Sequence, residues 1–168
     1  MAAPTQRLPR GIRNNNPGNL RSACDSRYHT TREDGFARFR TPHDGLVNLA
    51  ACARSFYYRH HLTTVSDFIN RYAPPTENQT ADYVAFVARY LRISPALVAK
   101  EPMRLDRLWR MVDLMRAIIA MENGPTPQRY SVGGEWFGPC ELSLAINDHI
   151  NADIGEQSRS HADAGSEQ

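Results

Sequence analysis

The sequence predicts a mainly helical domain of about five or six helices, with one small β-hairpin near the N-terminus. Three observations carry this. From Leu46 onward apolar residues recur at helical spacing. Hydroxyl-proline pairs such as Thr41-Pro42 and Ser94-Pro95 stand where helical runs begin. A single alternating stretch, Phe36-Ala37-Arg38-Phe39-Arg40, follows the turn pair Asp34-Gly35.

Residues 1–9 read as a flexible arm, and the run Arg10-Gly11-Ile12-Arg13-Asn14-Asn15-Asn16-Pro17-Gly18-Asn19-Leu20-Arg21 as a shaped loop rather than a helix. It is dense in residues that tolerate turn or left-handed backbone. The hairpin around Asp34-Gly35 comes next. Thr41, Pro42 and Asp44 then start a helix with a capping hydroxyl, a proline in its first turn and an early acid. Leu46, Leu49, Ala50, Ala53 and Phe56 continue it.

Thr64 or Ser66 starts a shorter helix through Phe68, Ile69 and Tyr72, which Pro74-Pro75 ends. Thr80 is expected to cap another, with Tyr83, Val84, Val87, Tyr90 and Leu91 on one face. A short turn of helix follows Ser94-Pro95. The longest and most apolar helix is expected from about Arg104 to Glu122, stopped by Gly124-Pro125. A last helix begins near Pro139. From 154 to 168 the Ser, Glu, Gln, Ala and Gly content offers little to bury and predicts a disordered tail. The folded domain is thus expected over residues 10–153.

At 168 residues and 41% hydrophobic composition, the chain suits one domain around one core. Its net charge of +2 arises from 20 basic and 18 acidic side chains mixed along the chain. That pattern gives no concentrated field for nucleic acid. Binding through Arg10, Arg13, Arg21 and Arg38 would require a stacking surface interleaved with them, which the sequence lacks. No apolar run is long enough to span a bilayer, and the N-terminus lacks the apolar segment of a signal peptide. The expectation is synthesis in the cytoplasm. Cys24, Cys52 and Cys140 are odd in number and lack metal-type spacing, so free thiols are expected. His60-His61 has no ligand spacing either, and neither metal nor cofactor is expected.

Glu122 is the conspicuous acid. The apolar row of the longest helix passes through Leu108, Met111, Val112, Met115, Ile118 and Ile119, and the next position in phase is 122. A carboxyl there is partly desolvated and faces the negative end of the helix dipole; both effects favour its protonated form. Glycosidic cleavage needs such a group, because the departing sugar oxygen must receive a proton. Lysozyme works by the same logic, with its acidic glutamate in an apolar pocket. The structural alternative is a side chain in water at a frayed helix end.

Glu77 precedes a helix start, where the dipole favours the ionised form. It suits a charge-stabilising partner or a plain cap. Asp34 could orient water, or simply form the hairpin turn. Asn15, Asn16 and Asn19 offer amides suited to sugar hydroxyls and N-acetyl groups, or to the backbone of their own loop. Tyr72, Trp109 and Trp136 are candidates for stacking on sugars, although aromatic residues on apolar helices are commonly core.

The run RGIRNNNPGNLR, followed by DGFARFRTPHDGL, RYAPPTENQTADYV and AMENG, resembles small phage and prophage virion proteins described as lysozyme-like. It also resembles muralytic domains of type VI secretion effectors. The resemblance covers roughly residues 10 to 125. The same pieces are similar to the glucosaminidase and lytic transglycosylase branch of the lysozyme superfamily, in an order that suggests circular permutation. In that branch the helix ending in the catalytic Glu precedes an Asn-rich turn; here the turn comes first.

The resemblance implies a lysozyme-like α+β fold and cleavage of peptidoglycan glycan strands, with Glu122 as the acid and Glu77 or Asp34 as the second group. Asn15, Asn16, Asn19 and Tyr72 would then bind substrate. It also implies delivery to the periplasm or cell wall by lysis, a virion or a secretion system, with virion components or an immunity protein as protein partners. The alternative from another class is a virion structural protein that keeps the fold without catalysis.

Overall fold

The computed structural model describes residues 8–28, 30–126 and 135–164, with 157–164 as backbone only. The fold is mainly helical with one small antiparallel hairpin. In order it contains α1 (Arg10–Arg13), β1 (Thr31–Glu33), β2 (Phe36–Arg38), α2 (Pro42–Arg54), α3 (Val65–Tyr72), α4 (Thr80–Tyr90), α5 (Leu108–Asn123) and α6 (Pro139–Ala164). Among the described residues no helix is long and apolar enough to cross a membrane.

The hairpin pairs Thr31 with Arg38 and Glu33 with Phe36. Its two-residue turn puts Asp34 at φ 51° and Gly35 at φ 81°. Positive φ at both central residues matches the turn that follows the natural twist of two antiparallel strands, and an Asp-Gly pair adopts it readily.

Helix α2 is the centre of the molecule, buried on all sides from Gly45 to Ala53. Its start is a capping box. The Thr41 hydroxyl accepts from the Asp44 amide and the Asp44 carboxylate accepts from the Thr41 amide, each at 3.1 Å. Gly45 is required by close approach, because a Cβ there would lie 1.9 Å from the Asn15 carbonyl oxygen. Beyond Arg54 the helix widens into a π-helical turn, Ser55–Arg59. Helices α5 and α6 pack on α2, and α4 packs on both α3 and α5. Phe68, Leu46, Leu49, Met115 and Ile118 fill the space between them.

Four expectations are corrected. The segment from Arg10 is not purely loop: Arg10–Arg13 makes one helical turn, closed by amides of Arg13 and Asn14 bonding to the carbonyls of Pro9 and Arg10 at 3.0 Å. Thr80 does not cap α4 from outside. Gln79 holds that position without a side-chain bond, while the buried Thr80 hydroxyl donates to the Ala73 carbonyl at 2.6 Å and ties α4 to the end of α3.

The helix expected to be the longest, α5, begins at Leu108 rather than near Arg104, whose φ of 58° breaks the helix path, and its 16 residues are fewer than the 26 of α6. Leu108 itself is exposed, because the first turn of α5 projects past the core. Helix α6 runs on to Ala164 instead of giving way to a tail at 154. Arg27 pairs with Asp153 and Glu156, and once a helix is nucleated each added Ala, Glu or Gln extends it at little cost. The expected arm at residues 1–7 and the last part of the expected tail, 165–168, lie outside the described residues.

Candidate active site

The Asn-rich loop is a scaffold knitted to the hairpin. Asn15 and Asn19 take φ values of 51° and 48°, a left-handed conformation that Asn tolerates better than most residues. The Asn15 amide donates to the carbonyls of Phe39 and Arg40 at 3.1 and 3.0 Å. Asn16 is fully buried, and its amide donates to the carbonyls of Leu20 and Ala37 while its oxygen accepts from the Leu20 amide. Both side chains are therefore bound to backbone and do not line the cleft below. In fully buried Asn16 both polar atoms of the side chain are thus met by backbone.

Asn19 is different. Its Nδ2 donates to Glu122 Oε2 at 2.8 Å, across 103 positions of chain. The two segments meet because the neighbouring Asn123, nearly buried at the end of α5, donates to the Pro17 carbonyl at 2.7 Å and to the Ile119 carbonyl at 2.9 Å. The end of α5 is thereby stitched to the loop. On the other side, the Tyr83 hydroxyl from α4 donates to Glu122 Oε1 at 3.1 Å. Glu122 is half-buried and held by one neutral donor on each oxygen.

A cleft of about 600 Å³ opens beside this carboxylate, lined among others by Asn19, Tyr72, Glu77, Arg10, Arg71 and Glu122. The Tyr72 hydroxyl donates to the Gly18 carbonyl at 2.6 Å, and its ring stacks on Phe68 with centroids 6.1 Å apart. Burial, then the charges of Tyr83 and Glu122, push the Tyr72 phenol well above its ordinary range. Burial and the Glu122 carboxylate do the same for Tyr83, so both remain proton donors.

Glu77 lies in the same cleft, exposed, and is ion-paired with Arg21. Asp34 is not among the lining residues; it stays on the exposed hairpin turn, two positions before Phe36, which does line the cleft. Trp109 is largely exposed on the first turn of α5 with Arg110 over its ring, outside the cleft lining. Trp136 lines a second hollow of about 450 Å³ with Phe86, Tyr90 and Phe137. Of the candidate residues, the fold unites Asn19, Tyr72, Glu77 and Glu122.

Sequence reasoning missed several residues of the site and its cleft. Tyr83 was legible only as one member of a helix face. Arg10, Arg21 and Arg71 surround the cleft although they are scattered along the chain. Cys24 and Cys52 also line it, their thiols near enough to influence one another. Asn48, one turn before Cys52 on α2, accepts from the Cys24 amide at 3.0 Å and brings the two together. The hydrogen bond from Cys52 holds the Cys24 thiol below its ordinary range, against the opposing effects of burial and Asp25. That same bond, then burial, raise Cys52. Among the described residues, no group of three or more His, Cys, Asp or Glu side chains could hold a metal ion.

The fold and site define a small helical domain that presents a helix-terminal glutamate to a polar cleft. Over 144 residues the chain is 31% identical to Protein P5 of Pseudoalteromonas phage PM2, covering 79% of this chain and 86% of that protein. It belongs to the phage protein family that includes Protein P5. No protein-family model matches the chain.

Proposed function

We propose that this protein cleaves the β-1,4 glycan strand of peptidoglycan, with Glu122 as the proton donor. The observation that carries the reading is the placement of Glu122: a half-buried carboxylate at a helix end, gripped by Asn19 and Tyr83, opening on a cleft of about 600 Å³. Protonated Glu122 gives its proton to the glycosidic oxygen as the bond to the anomeric carbon breaks. Water, or the strand's own 6-hydroxyl assisted by the N-acetyl group, then bonds to that carbon and gives its proton to the Glu122 carboxylate, which restores the acid. The second route needs only one acid, which suits a cleft whose other glutamate is already ion-paired.

Glu77, with Arg21 beside it, acts as a fixed negative charge facing the positive charge that develops on the sugar. Asn19 orients Glu122, and Tyr72 forms part of the cleft wall. The contact between the Asn-rich loop and the end of α5 supports kinship with a permuted lysozyme-like arrangement. Membership in a phage family supports delivery to the cell wall with the virion, where other virion components are its protein neighbours.

Turbidity clearing of purified sacculi tests the reading. The wild-type protein should clear them and Glu122→Gln should not. Equal clearing by both would remove Glu122 as the acid. Sacculi left intact by the wild type, with the protein present in virions, would leave a phage structural protein without catalysis.

A further inference from the structure

The cleft carries an unbalanced charge. Three arginines, Arg10, Arg21 and Arg71, line it against two glutamates, Glu77 and Glu122. Arg21 is paired with Glu77. Among the described residues, neither Arg10 nor Arg71 has a carboxylate within ion-pair distance, although both line the same cleft as Glu122.

Arg10 is held in place, and Arg71 is exposed beside an aromatic ring. Arg10 lies 3.5 Å from the centroid of the Phe36 ring, and its Nε donates to Asn19 Oδ1 at 3.4 Å. Arg71 lies 5.9 Å from the centroid of Phe56. A guanidinium stacked on an aromatic face keeps the terminal N–H donors of its planar fork for another group, and that fork matches a carboxylate. A neutral sugar makes poor use of such a pair, because its hydroxyls carry no charge to offset two cations.

Resting on the glycan-cleaving reading, we infer that Arg10 and Arg71 form a subsite for a carboxylate carried by the glycan strand. The strand offers that chemistry from two sources: the carboxylates of the peptide stem, and the lactyl carboxylate exposed when the stem is removed. Both are attached to the muramic sugar. The subsite therefore fixes which sugar sits next to Glu122, and the enzyme distinguishes acidic glycan from a neutral polymer with the same linkage.

Three substrates with one glycan backbone test this: strands bearing stems, strands stripped of stems with free lactyl carboxylates, and stripped strands whose carboxylates are capped as methylamides. The wild type should show a kcat/KM about tenfold higher on a carboxylate-bearing strand than on the capped one. Comparison of the first two strands identifies the source. Arg71→Gln and Arg10→Gln should abolish the preference, lowering kcat/KM about tenfold more on the carboxylate-bearing strands than on the capped one.

Equal cleavage of all three strands by the wild type would overturn the subsite. So would an equal loss on all three strands in the arginine variants, which would mark the arginines as structural. Binding of the same three materials to the Glu122→Gln protein reads the subsite without bond cleavage. A carboxylate preference there with no cleavage by the wild type would sink the proposed activity and keep the subsite; no preference would remove the subsite whatever the activity.

Discussion

Two carboxylates of this protein are held in opposite ways. Asp25, nearly buried, receives Arg27 Nε at 2.8 Å, the Arg27 backbone amide at 3.1 Å and a further bond from Arg27 Nη2, and His149 Nδ1 lies 3.1 Å from its other oxygen. Glu122 receives one amide and one phenol, both neutral, and opens on a cleft. In Asp25 the charge is neutralised within the protein, joining the loop at 24–28 to α6. In Glu122 the donors fix orientation and leave the charge, or the proton, to whatever enters the cleft. The difference lies in the partners: an arginine and a histidine meet Asp25 inside the protein, whereas Glu122 meets only neutral donors and the cleft.

The sharpest break of this contrast is at Glu122. Glu122→Gln should lower glycan cleavage by about 10²- to 10⁴-fold, the usual contribution of a general acid, and shift stability by less than about 1 kcal/mol. Reducing-end or anhydro-product assays, beside a urea melt, measure both. A large loss of stability would place Glu122 with Asp25.

The reverse pattern is expected at Asp25. Asp25→Ala should cost about 2–4 kcal/mol of stability, because Arg27 and His149 lose a nearly buried partner, with the cleavage rate per folded molecule unchanged. The pH dependence has a definite sign. Burial pushes the Asp25 carboxyl up, but hydrogen bonds from Arg27 and His149 outweigh it and hold it below its ordinary 3.8. A depressed value in the folded state means that its stabilisation is present above the unfolded value and is lost as pH falls below 3.8 through the folded one. Urea midpoints followed downward from pH 5 should show this loss in the wild type, and Asp25→Asn should lack that component.

Tyr83→Phe probes the neutral grip on Glu122. Removal of one hydrogen bond should reduce cleavage by roughly five- to tenfold, about 1 kcal/mol, and leave the Asp25 cluster untouched. The smallest effect concerns the thiols. Cys24 should be alkylated at a lower pH than an ordinary cysteine while Cys52 is spared, since the thiolate is the reactive form and Cys52 is both buried and raised. Mass spectrometry of the labelled peptides measures it; preferential labelling of Cys52 would reverse the assignment of donor and acceptor in the pair.

Much of the fold was legible because its signals are local. Thr41, Pro42 and Asp44 start α2 by contacts within one turn of chain, and Asp34-Gly35 sets the hairpin by its own φ preferences. Gly124 stops α5 by taking positive φ, 69°, just past the last helical residue. The extra reach of α6 was not legible, because Arg27, which pairs with its later turns, is more than a hundred positions away. The same holds for Thr80, whose hydroxyl follows the carbonyl of Ala73 and not its own helix.

The site divides along the same line. Local sequence was enough to put a carboxylate at the end of the apolar row of α5, since helical period is a property of neighbours in the chain. It was also enough to let Asn15 and Asn19 take the backbone turns of their loop. Packing, in contrast, settled that Asn15 and Asn16 bond to backbone while Asn19 turns to Glu122, that Tyr83 completes the grip, and that Asp34 stays outside. Those outcomes depend on which polar atoms remain without backbone partners once the helices have come together, and that assembly joins residues 103 positions apart that no local pattern relates.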